Sequence, residues 1–370
     1  MKERFFSKRG HHPDYLLLAS VFILTLGGLI VLSSASSNIG EIKFGDSYYY
    51  LKHQMYFGLS LGLLGFLAAY FIRYQFYQKI ALPFLLVNVG LLSLVFTSFG
   101  ITSGGASRWL EMGPITFQPA ELLKLSFILY LAAWLSNTKV SRSETMSEGL
   151  FPFLIISGII GGLLVLQPAT STVAILLTAG LGVYFLSGAK WKYIFSIAGL
   201  GLLALTMLIF ATPYRMKRVM SFFDQSGDSL GANYHLNQAL IAIGSGGVTG
   251  VGYGQSTAKA SSLPAVIDDS IFAVLGQELG FLGTSVVVVI FAILVFRFFW
   301  IASRARDRFG KLILAGFGLI IALQSIVHIG SISGLLPLTG VPLPFVSYGG
   351  TALAVFLTMS GIAANISKYT

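Results

Sequence analysis

The sequence predicts an all-α membrane protein that crosses the bilayer ten times as a single domain covering residues 1-370. Hydrophobic residues occupy 55% of the chain and charged residues only 10%, whereas a soluble domain carries about 25% charged residues. The mean hydropathy is +0.80. A hydrocarbon core of ~30 Å needs about 20 apolar residues per helix, and ten runs approach or exceed that length. The composition therefore predicts a helical bundle solvated by lipid.

The ten runs follow one another along the whole chain. They lie at 15–35, 49–72, 79–99, 119–136, 150–166, 169–187, 192–211, 270–299, 311–335 and 350–367. Gln167 and Pro168 separate the fifth run from the sixth. Because proline interrupts the helical hydrogen-bond ladder, we expect a tight hairpin at this point. An even number of spans places both termini on one side.

Basic residues predict that this side is the cytoplasm, because short cytoplasmic loops carry an excess of Lys and Arg. With both termini inside, sixteen of the 24 basic residues fall in the inner segments. They are Lys2, Arg4, Lys8, Arg9, Arg73, Lys79, Lys139, Arg142, Lys190, Lys192, Arg297, Arg304, Arg306, Arg308, Lys311 and Lys368. We therefore expect a cytoplasmic tail at 1–14 and a long extracytoplasmic loop at 212–268, between spans seven and eight. The net charge of +10 fits this arrangement better than nucleic-acid binding.

Cysteine is absent, which excludes disulfides, zinc–thiolate sites and thiol catalysis. Most acidic residues lie outside or near the outer leaflet, so the chemistry is expected to face outward. The first polar cluster follows the third span. Glu121 and Lys124 share one helix face, either as a structural ion pair or as part of a site, and charges at membrane depth favour the site. Arg108, beside Trp109, is either an interfacial anchor or a phosphate ligand.

The long outer loop carries the second cluster. Arg215 and Arg218, with Lys217 between them, form either an amphipathic interfacial stretch or a basic surface for an anionic lipid head group. The glycines from Gly244 to Gly254 allow a phosphate-binding nest, but plain turns are the commoner use of such residues.

The third cluster precedes the eighth span, and the fourth lies between the ninth and tenth spans. Asp268 and Asp269 open the eighth span, as helix caps or as functional carboxylates. Below Asp269 runs a stripe of small residues, Ala273, Gly276, Gly280 and Gly283, which serves close packing or leaves a cavity. Three prolines before Ser347 prevent a straight helix, so that segment must be buried in protein or line a cavity.

Together these clusters resemble the SEDS family (shape, elongation, division and sporulation). The motifs are Gly-Pro-(x)3-Gln-Pro-x-Glu-Leu-x-Lys at 113–124, Asp-Ser-Ile-Phe-Ala-Val-Leu-Gly-Gln-Glu-Leu-Gly at 269–280, and Pro-Leu-Pro-Phe-Val-Ser-Tyr-Gly-Gly at 342–350. The resemblance implies a ten-span, multi-pass protein of the bacterial cytoplasmic membrane. It also implies a peptidoglycan glycosyltransferase that polymerises lipid II, the undecaprenyl-diphosphate-linked disaccharide peptide. The N-terminal motifs look more like the division member than the elongation member.

The resemblance implies partners and an essential residue as well. The partners are a class B penicillin-binding protein, a transpeptidase that crosslinks the glycan, and other divisome membrane proteins. The family's essential aspartate matches Asp269. Several positions depart from the family pattern, which makes a metal site less expected, although Mg or Mn remains possible and Asp268 remains a candidate to share the role of Asp269. The departures are Ala120, Ala169, Ala265, Ile267, Asp268 and Gln277.

Polymerisation needs a base for the acceptor hydroxyl and cations for the departing diphosphate. Asp269 is the expected base. Arg108, Lys124 and either Arg215 or Arg218 are the expected cations. Glu121, Asp268 and Ser347 complete the predicted substrate-binding set. Two other functions remain open: a lipid II flippase, which needs no base, and a non-catalytic scaffold for the crosslinking partner.

Overall fold

The structure, a computed structural model, describes residues 11–103, 106–113, 115–137, 142–223, 233–257 and 263–370. Its main helices are α1 (Tyr15–Phe44), α2 (Tyr49–Phe71), α3 (Gln75–Leu94), α4 (Pro119–Leu135), α5 (Met146–Leu166), α6 (Thr170–Leu186), α7 (Trp191–Phe210), α8 (Pro213–Phe223), α9 (Tyr234–Ser245), α10 (Ile271–Arg304), α11 (Arg308–Ile332) and α12 (Gly350–Ser367). Its strands are β1 (Gly100–Ser103), β2 (Ala106–Met112) and β3 (Ile115–Phe117).

Each of the ten predicted runs contains a helix. Within the described ranges, eight helices are long and apolar enough to cross a membrane, and α6 is a shorter apolar helix. Helix α4 also has only 17 residues and carries two buried charges. The prediction of a helical, multi-pass membrane protein is therefore confirmed, whereas the count of ten spans remains a prediction.

Helix α1 is nine residues longer than the apolar run that predicted it. The side chain of Asp14 caps its first turn by accepting the N–H of Leu17 at 2.9 Å, and Asp14 also forms an ion pair with Arg297 of α10. The helix ends at Gly45, whose φ of 65° suits a glycine in the left-handed region. Its 30 residues span about 45 Å at 1.5 Å per residue, so α1 exceeds the thickness of a hydrocarbon core.

The all-α prediction is wrong for the segment between α3 and α4. Strands β1, β2 and β3 form a small antiparallel sheet in sequence order, with Ile101 opposite Trp109 and Leu110 opposite Phe117. Aromatic and β-branched residues favour such pairing. The segment was predicted as an ordered loop because glycine and proline dominate its sequence. One of these glycines, Gly113, makes the turn between β2 and β3 with a φ of 67°.

The eighth predicted span is not one straight helix. Helix α10 is interrupted at Gly280, where φ is 65° and ψ is −166°, a backbone conformation essentially restricted to glycine. The part before the break is almost entirely buried, whereas the part after it is mostly exposed along its apolar surface. The short first part therefore belongs to the protein interior, and only the second part presents a lipid-facing helix.

The glycine-rich loop after α9 docks against this break. Its backbone N–H groups at Val251 and Gly252 donate to the carbonyls of Gln277 and Glu278 at 3.0 and 3.1 Å. A Cβ on Gly250 would lie 2.2 Å from the carbonyl oxygen of Glu278. The glycines here thus permit close backbone contact, and two members of the small-residue stripe, Gly276 and Gly280, pack against α9 and this loop.

Helices α11 and α12 form the centre of the bundle, where most of their residues are buried. Helix α7 lies at the periphery. All of its residues are described, and Tyr193 is the single buried one. The non-helical segment 333–349 connects α11 to α12, and its apolar residues Val341, Leu343, Phe345 and Val346 are buried. As the prolines predicted, residues 341–347 are largely enclosed by protein, whereas Leu335, Leu336 and Gly340 in the first half of the segment are exposed.

Candidate active site

Asp268 and Asp269 lie in a tight turn immediately before α10. The carbonyl oxygen of Ala265 closes the turn by accepting the backbone N–H groups of Asp268 at 3.2 Å and Ser270 at 3.1 Å. The hydroxyl of the buried Ser270 donates to the carbonyl of Pro264 at 2.8 Å. Ser270 is the residue that precedes α10, and no side chain caps the helix. The two acids therefore do not serve as its N-cap.

The 333–349 segment braces this turn from the other side. Ser347 donates its hydroxyl to the carbonyl of Asp268 at 2.7 Å and accepts the N–H of Leu343 at 2.8 Å. The N–H of Tyr348 donates to the carbonyl of Ile267 at 3.0 Å. Ser347 is only 5% exposed, so the structure places this predicted substrate ligand behind the turn, where it fixes the backbone of the acids.

A cavity of about 320 Å³ opens in front of the turn, a volume within the usual range of ligand pockets. Helix α8, the start of α9, the end of α11 and the 333–349 segment surround it. Its lining residues are Lys217, Arg218, Ser221, His235, Asp269, Ser331, Ile332, Leu338, Thr339 and Gly340. Of the two acids, only Asp269 lines the cavity. Gly340 allows a close approach, because a Cβ at that position would lie 3.2 Å from Oδ2 of Asp269.

The two carboxyl groups have different electrostatic surroundings. Burial raises the pKa of Asp269 to about 6, and the positive charges of Arg218 and Arg108 oppose that rise. Burial and the charge of Asp269 raise the pKa of Asp268 to about 7, and Lys43 opposes that rise. Burial therefore opposes the ionisation of both carboxyl groups, and the positive charges of two arginines act on Asp269.

The predicted cations do not all meet at the cavity. Arg218 lines it and donates to the carbonyl of Leu338 at 3.3 Å. Arg215 turns away and donates to the hydroxyls of Thr170 and Thr212 at 2.9 and 2.8 Å. Thus Arg218 of α8 faces the site, whereas Arg215 joins α8 to Thr170 of α6 and to Thr212, the residue directly before α8.

Arg108 of β2 also fastens two elements together. Its Nε and one terminal nitrogen donate to the carbonyls of Gln167 and Pro168, at 3.0 and 2.7 Å. These carbonyls belong to the hairpin between α5 and α6. The positive charge of Arg108 still acts on Asp269, as the pKa of that acid shows. Arg108 is therefore positioned to influence the site electrostatically.

Glu121 and Lys124 form a buried ion pair, 3% and 1% exposed. Nζ of Lys124 donates to both carboxylate oxygens of Glu121, at 2.7 and 2.8 Å, and to Oε1 of Gln324 at 2.7 Å. These three bonds use all three protons of the ammonium group. The structure therefore places both residues within the bundle, away from the cavity lining.

The ion pair is connected to the cavity wall through one face of α11. Gln324 donates to the carbonyl of Pro342 at 2.8 Å, His328 Nδ1 lies 2.7 Å from the carbonyl of Val341, and Thr339 donates to Ser331 at 3.3 Å. We call Gln324, His328 and Ser331 the polar ladder. It holds the part of the 333–349 segment that brings Gly340 against Asp269, so Lys124 supports the site through Gln324.

Sequence reasoning missed His235, Thr339 and Gly340 as site residues, and it named Lys217 only within a candidate basic surface for a lipid head group. The basic stretch of α8 was noticed, but only the fold shows that Lys217 and Arg218 both line the cavity. His235 and Thr339 carry no motif of their own, and they join the site because α9 and the 333–349 segment converge on Asp269. No local sequence signal indicates that convergence.

The described residues do not provide a protein-held cation site here. Among them, no three His, Asp, Glu or Cys side chains lie together as metal ligands, and the groups nearest Asp269 in the cavity include two basic side chains. Carboxylate-rich surroundings are what Mg and Mn prefer. The donor set that the described residues place around Asp269 therefore does not fit a divalent metal.

The whole chain resembles known proteins. Residues 14–370 match the model of the FtsW, RodA and SpoVE family, whose members are described as cell cycle proteins. The chain is 35% identical over 355 residues to a probable peptidoglycan glycosyltransferase FtsW from Geobacter sp. (strain M18), covering 96% of each protein. It is 33% identical over 359 residues to stage V sporulation protein E from Bacillus subtilis (strain 168), covering 97% of this chain and 98% of that protein.

Solved structures agree with this assignment. The fold matches a chain of a peptidoglycan synthase complex that coordinates polymerization and crosslinking. The TM-score is 0.77 and the sequence identity 26%, and the match covers 96% of this chain and 98% of that chain. It also matches the rod shape determining protein RodA of Thermus thermophilus, with a TM-score of 0.69, 26% identity and 96% coverage of each chain. The chain therefore belongs to the FtsW/RodA/SpoVE family of cell cycle proteins.

Proposed function

We propose that this protein is a peptidoglycan glycosyltransferase that polymerises lipid II at the outer face of the bacterial cytoplasmic membrane, in septal wall synthesis. One observation carries the proposal. The Asp269 carboxylate lines a cavity that Lys217 and Arg218 also line, and no hydrogen bond or ion pair joins its oxygens to another described residue. A half-buried carboxylate that faces a cavity beside two cations is placed to act on a bound substrate.

The basic wall suits the leaving group of the reaction. Lys217 and Arg218 can bind phosphate oxygens and stabilise the charge that develops on the diphosphate. Arg108 adds positive potential from behind Asp269. In this arrangement the cations bind the diphosphate and the carboxylate of Asp269 binds the acceptor, and both groups line the same cavity.

Chain extension is a single displacement at the anomeric carbon of the donor. The acceptor hydroxyl oxygen forms a bond to the anomeric carbon. At the same time the bond between that carbon and the phosphate oxygen breaks, and the diphosphate departs with the electron pair. The proton of the hydroxyl passes to Asp269, which acts as a general base. The donor linkage is α and the product linkage β, as one displacement with inversion requires.

The same proposal includes ten membrane crossings with both termini in the cytoplasm. The two helices that fall short of the usual spanning length, α4 and α6, have 17 residues each and are about 26 Å long. This is close to the thickness of a thin hydrocarbon core. The excess of basic residues in the inner segments supports this orientation, which places the turn before α10 and the cavity outside.

The protein is proposed to act with a single-pass class B penicillin-binding protein and with other divisome membrane proteins. The relative in a peptidoglycan synthase complex supports a crosslinking partner. Because the described donor set around Asp269 does not fit a metal, we propose that any Mg or Mn enters with the diphosphate, and no step is assigned to it.

Purified protein incubated with lipid II, alone and with its partner, tests the proposal when products are separated by length. We expect glycan polymers that lengthen with time, in greater yield with the partner. Movement of lipid II across vesicles without any polymer would support a flippase instead. If neither polymer nor transport occurs in the reconstituted complex, a non-catalytic scaffold becomes the better explanation.

A further inference from the structure

His235 lies on the cavity wall beside Asp269, and the displacement described above does not use it. It is the second residue of α9, which packs against the buried first part of α10. Its Nε2 lies 2.6 Å from the hydroxyl oxygen of Ser270, the residue directly after Asp269. The imidazole is therefore held by one nitrogen, within the same cavity as the proposed base.

The hydrogen bonds of Ser270 define the tautomer of this imidazole. The single hydroxyl proton of Ser270 is donated to the carbonyl of Pro264 at 2.8 Å. Both contacts are hydrogen bonds only when the oxygen of Ser270 accepts the proton on Nε2 of His235. A neutral imidazole carries only one N–H, so its other nitrogen, Nδ1, is an acceptor with a free lone pair.

The surroundings keep this ring neutral. Burial, together with the positive charge of Arg218, lowers the pKa of His235. The charged groups that share its cavity are Lys217 and Arg218 from α8 and Asp269 from the turn. With two cations and one acid around it, the imidazole remains an acceptor at Nδ1 near neutral pH.

The Nδ1 atom is available to a ligand. Within the part of the chain that the structure describes, it has no hydrogen-bond partner, and it does not belong to the polar atoms that are buried without one. Nδ1 is therefore accessible, on a side chain that lines the cavity. The wall formed by α8 contributes hydrogen-bond donors through Lys217 and Arg218, whereas Asp269 and Nδ1 of His235 contribute acceptors.

We propose that His235 recognises the acceptor saccharide, with Nδ1 accepting a hydrogen bond from a hydroxyl that neighbours the reacting one. This inference rests on the proposed function. Phosphate oxygens carry no protons at neutral pH and are bound by the basic wall. Sugar hydroxyls are donors and suit the two acceptors. Asp269 takes the proton of the reacting hydroxyl, and His235 fixes the orientation of the ring that carries it.

Two substitutions separate the two nitrogens. In His235→Gln the amide nitrogen replaces Nε2 and retains the bond to Ser270, while the acceptor at Nδ1 is lost. In His235→Asn the amide oxygen replaces Nδ1, and the bond to Ser270 is lost. Initial rates of polymer formation at increasing lipid II concentration, in the complex with its partner, give KM and kcat for each variant.

We expect His235→Gln to raise the KM for lipid II about five- to tenfold with little change in kcat, as for the loss of one neutral hydrogen bond. His235→Asn should keep a KM within about twofold of the wild type, because the acceptor is retained. For the wild type, a lipid II analogue that lacks the hydroxyl bound by Nδ1 should have a higher KM than lipid II. For His235→Gln, the same analogue and lipid II should have similar KM values.

A wild-type KM in His235→Gln would overturn the inference. So would a KM in His235→Asn as high as in His235→Gln, because the contact with Ser270 would then be the important one. Equal responses of the wild type and His235→Gln to every deoxy analogue would also contradict it. The proposed function fails separately, when the wild type itself forms no polymer.

Discussion

Asp268 and Asp269 are neighbours in sequence but occupy different environments. Asp269 faces a cavity with Lys217 and Arg218, whereas Asp268 is absent from that lining and its charge acts on Tyr50 and Tyr348. The positive charges of Arg218 and Arg108 act on the pKa of Asp269, whereas Lys43 acts on that of Asp268. This asymmetry favours Asp269 as the base, and sequence alone could not separate the two.

The pH dependence of the reaction should follow Asp269. Only its ionised form accepts a proton, so kcat should fall as the pH decreases through about 6. Removing the positive charge in Arg218→Gln should raise that pKa further and move the acidic limb to higher pH. Polymerisation rates at saturating lipid II between pH 5 and 9 measure the shift, and Lys217→Gln is the control. An unchanged limb in Arg218→Gln would show that another group is the base.

Asp269 should also lower the stability of the protein. Its pKa in the folded state lies above the usual value of 3.8, so the folded state binds this proton more tightly than the unfolded state does. The free energy of unfolding therefore falls as the pH rises from 3.8 to about 6 and stays at the lower value above that. Asp269→Asn should raise the thermal transition temperature at pH 8 and have less effect at pH 5. A lower transition temperature at pH 8 would contradict this reasoning.

Predicting side-chain roles from sequence reached as far as local spacing allowed. The shared face of Glu121 and Lys124 was predicted correctly from their separation of three residues. Their partner Gln324 lies 200 positions away and becomes visible only in the fold. Ser347 likewise joined the predicted site through its motif, although its two hydrogen bonds place it behind the acids.

At the scale of elements, the break in α10 arranges the site. Gly280 separates the buried start of the helix from its exposed remainder, and the loop after α9 supplies hydrogen bonds to both sides of the break. The N–H groups of Phe281 and Leu282 donate to Gly247 and Val248 at 2.9 and 3.1 Å. The small-residue stripe was visible in the sequence, but a helical periodicity cannot reveal where a helix is interrupted.

Gly280→Ala should destabilise this region strongly. The new Cβ would lie 2.3 Å from the backbone nitrogen of Gly250, and the backbone conformation at this position costs about 1–3 kcal/mol for a residue other than glycine. We expect a lower thermal transition temperature and reduced polymer formation. Gly199→Ala is the matched control, because no atom lies within 4 Å of its new Cβ on α7.

If Gly280→Ala matched Gly199→Ala in both stability and polymer yield, the helix break would not be required. Reduced stability with full polymer yield would leave the break as a structural feature without influence on the site.

At the scale of the whole molecule, hydrophobic run lengths located the helix of each predicted span, because a lipid environment requires long apolar segments. They did not locate α8 and α9, which lie within the segment predicted as a long loop at 212–268. The sheet between α3 and α4 was missed, since its strands are short and lie among glycines and prolines. The cavity itself is formed by α8, α9, the turn before α10 and the 333–349 segment, and no run length or motif indicates how these elements meet.

The orientation in the membrane can be tested with this cysteine-free chain. Exposed positions on the two sides are Gln255, after the glycine-rich loop, and Arg306, between α10 and α11. A membrane-impermeant thiol reagent added to intact cells should label Gln255→Cys and leave Arg306→Cys unlabelled until the membrane is permeabilised. Labelling of Arg306→Cys alone in intact cells would reverse the topology.

The most direct measurement of the central claim compares polymer formed from lipid II by the wild type, Asp269→Asn and Asp268→Asn, each in complex with the partner at equal protein concentration. Asp269→Asn retains the size of the side chain and removes the base, so we expect its rate to fall by ~10²–10⁴, while Asp268→Asn loses much less. Thermal stability equal to or above that of the wild type would show that Asp269→Asn is folded. Near-normal polymer formation by a folded Asp269→Asn would contradict the assignment of Asp269 as the catalytic base.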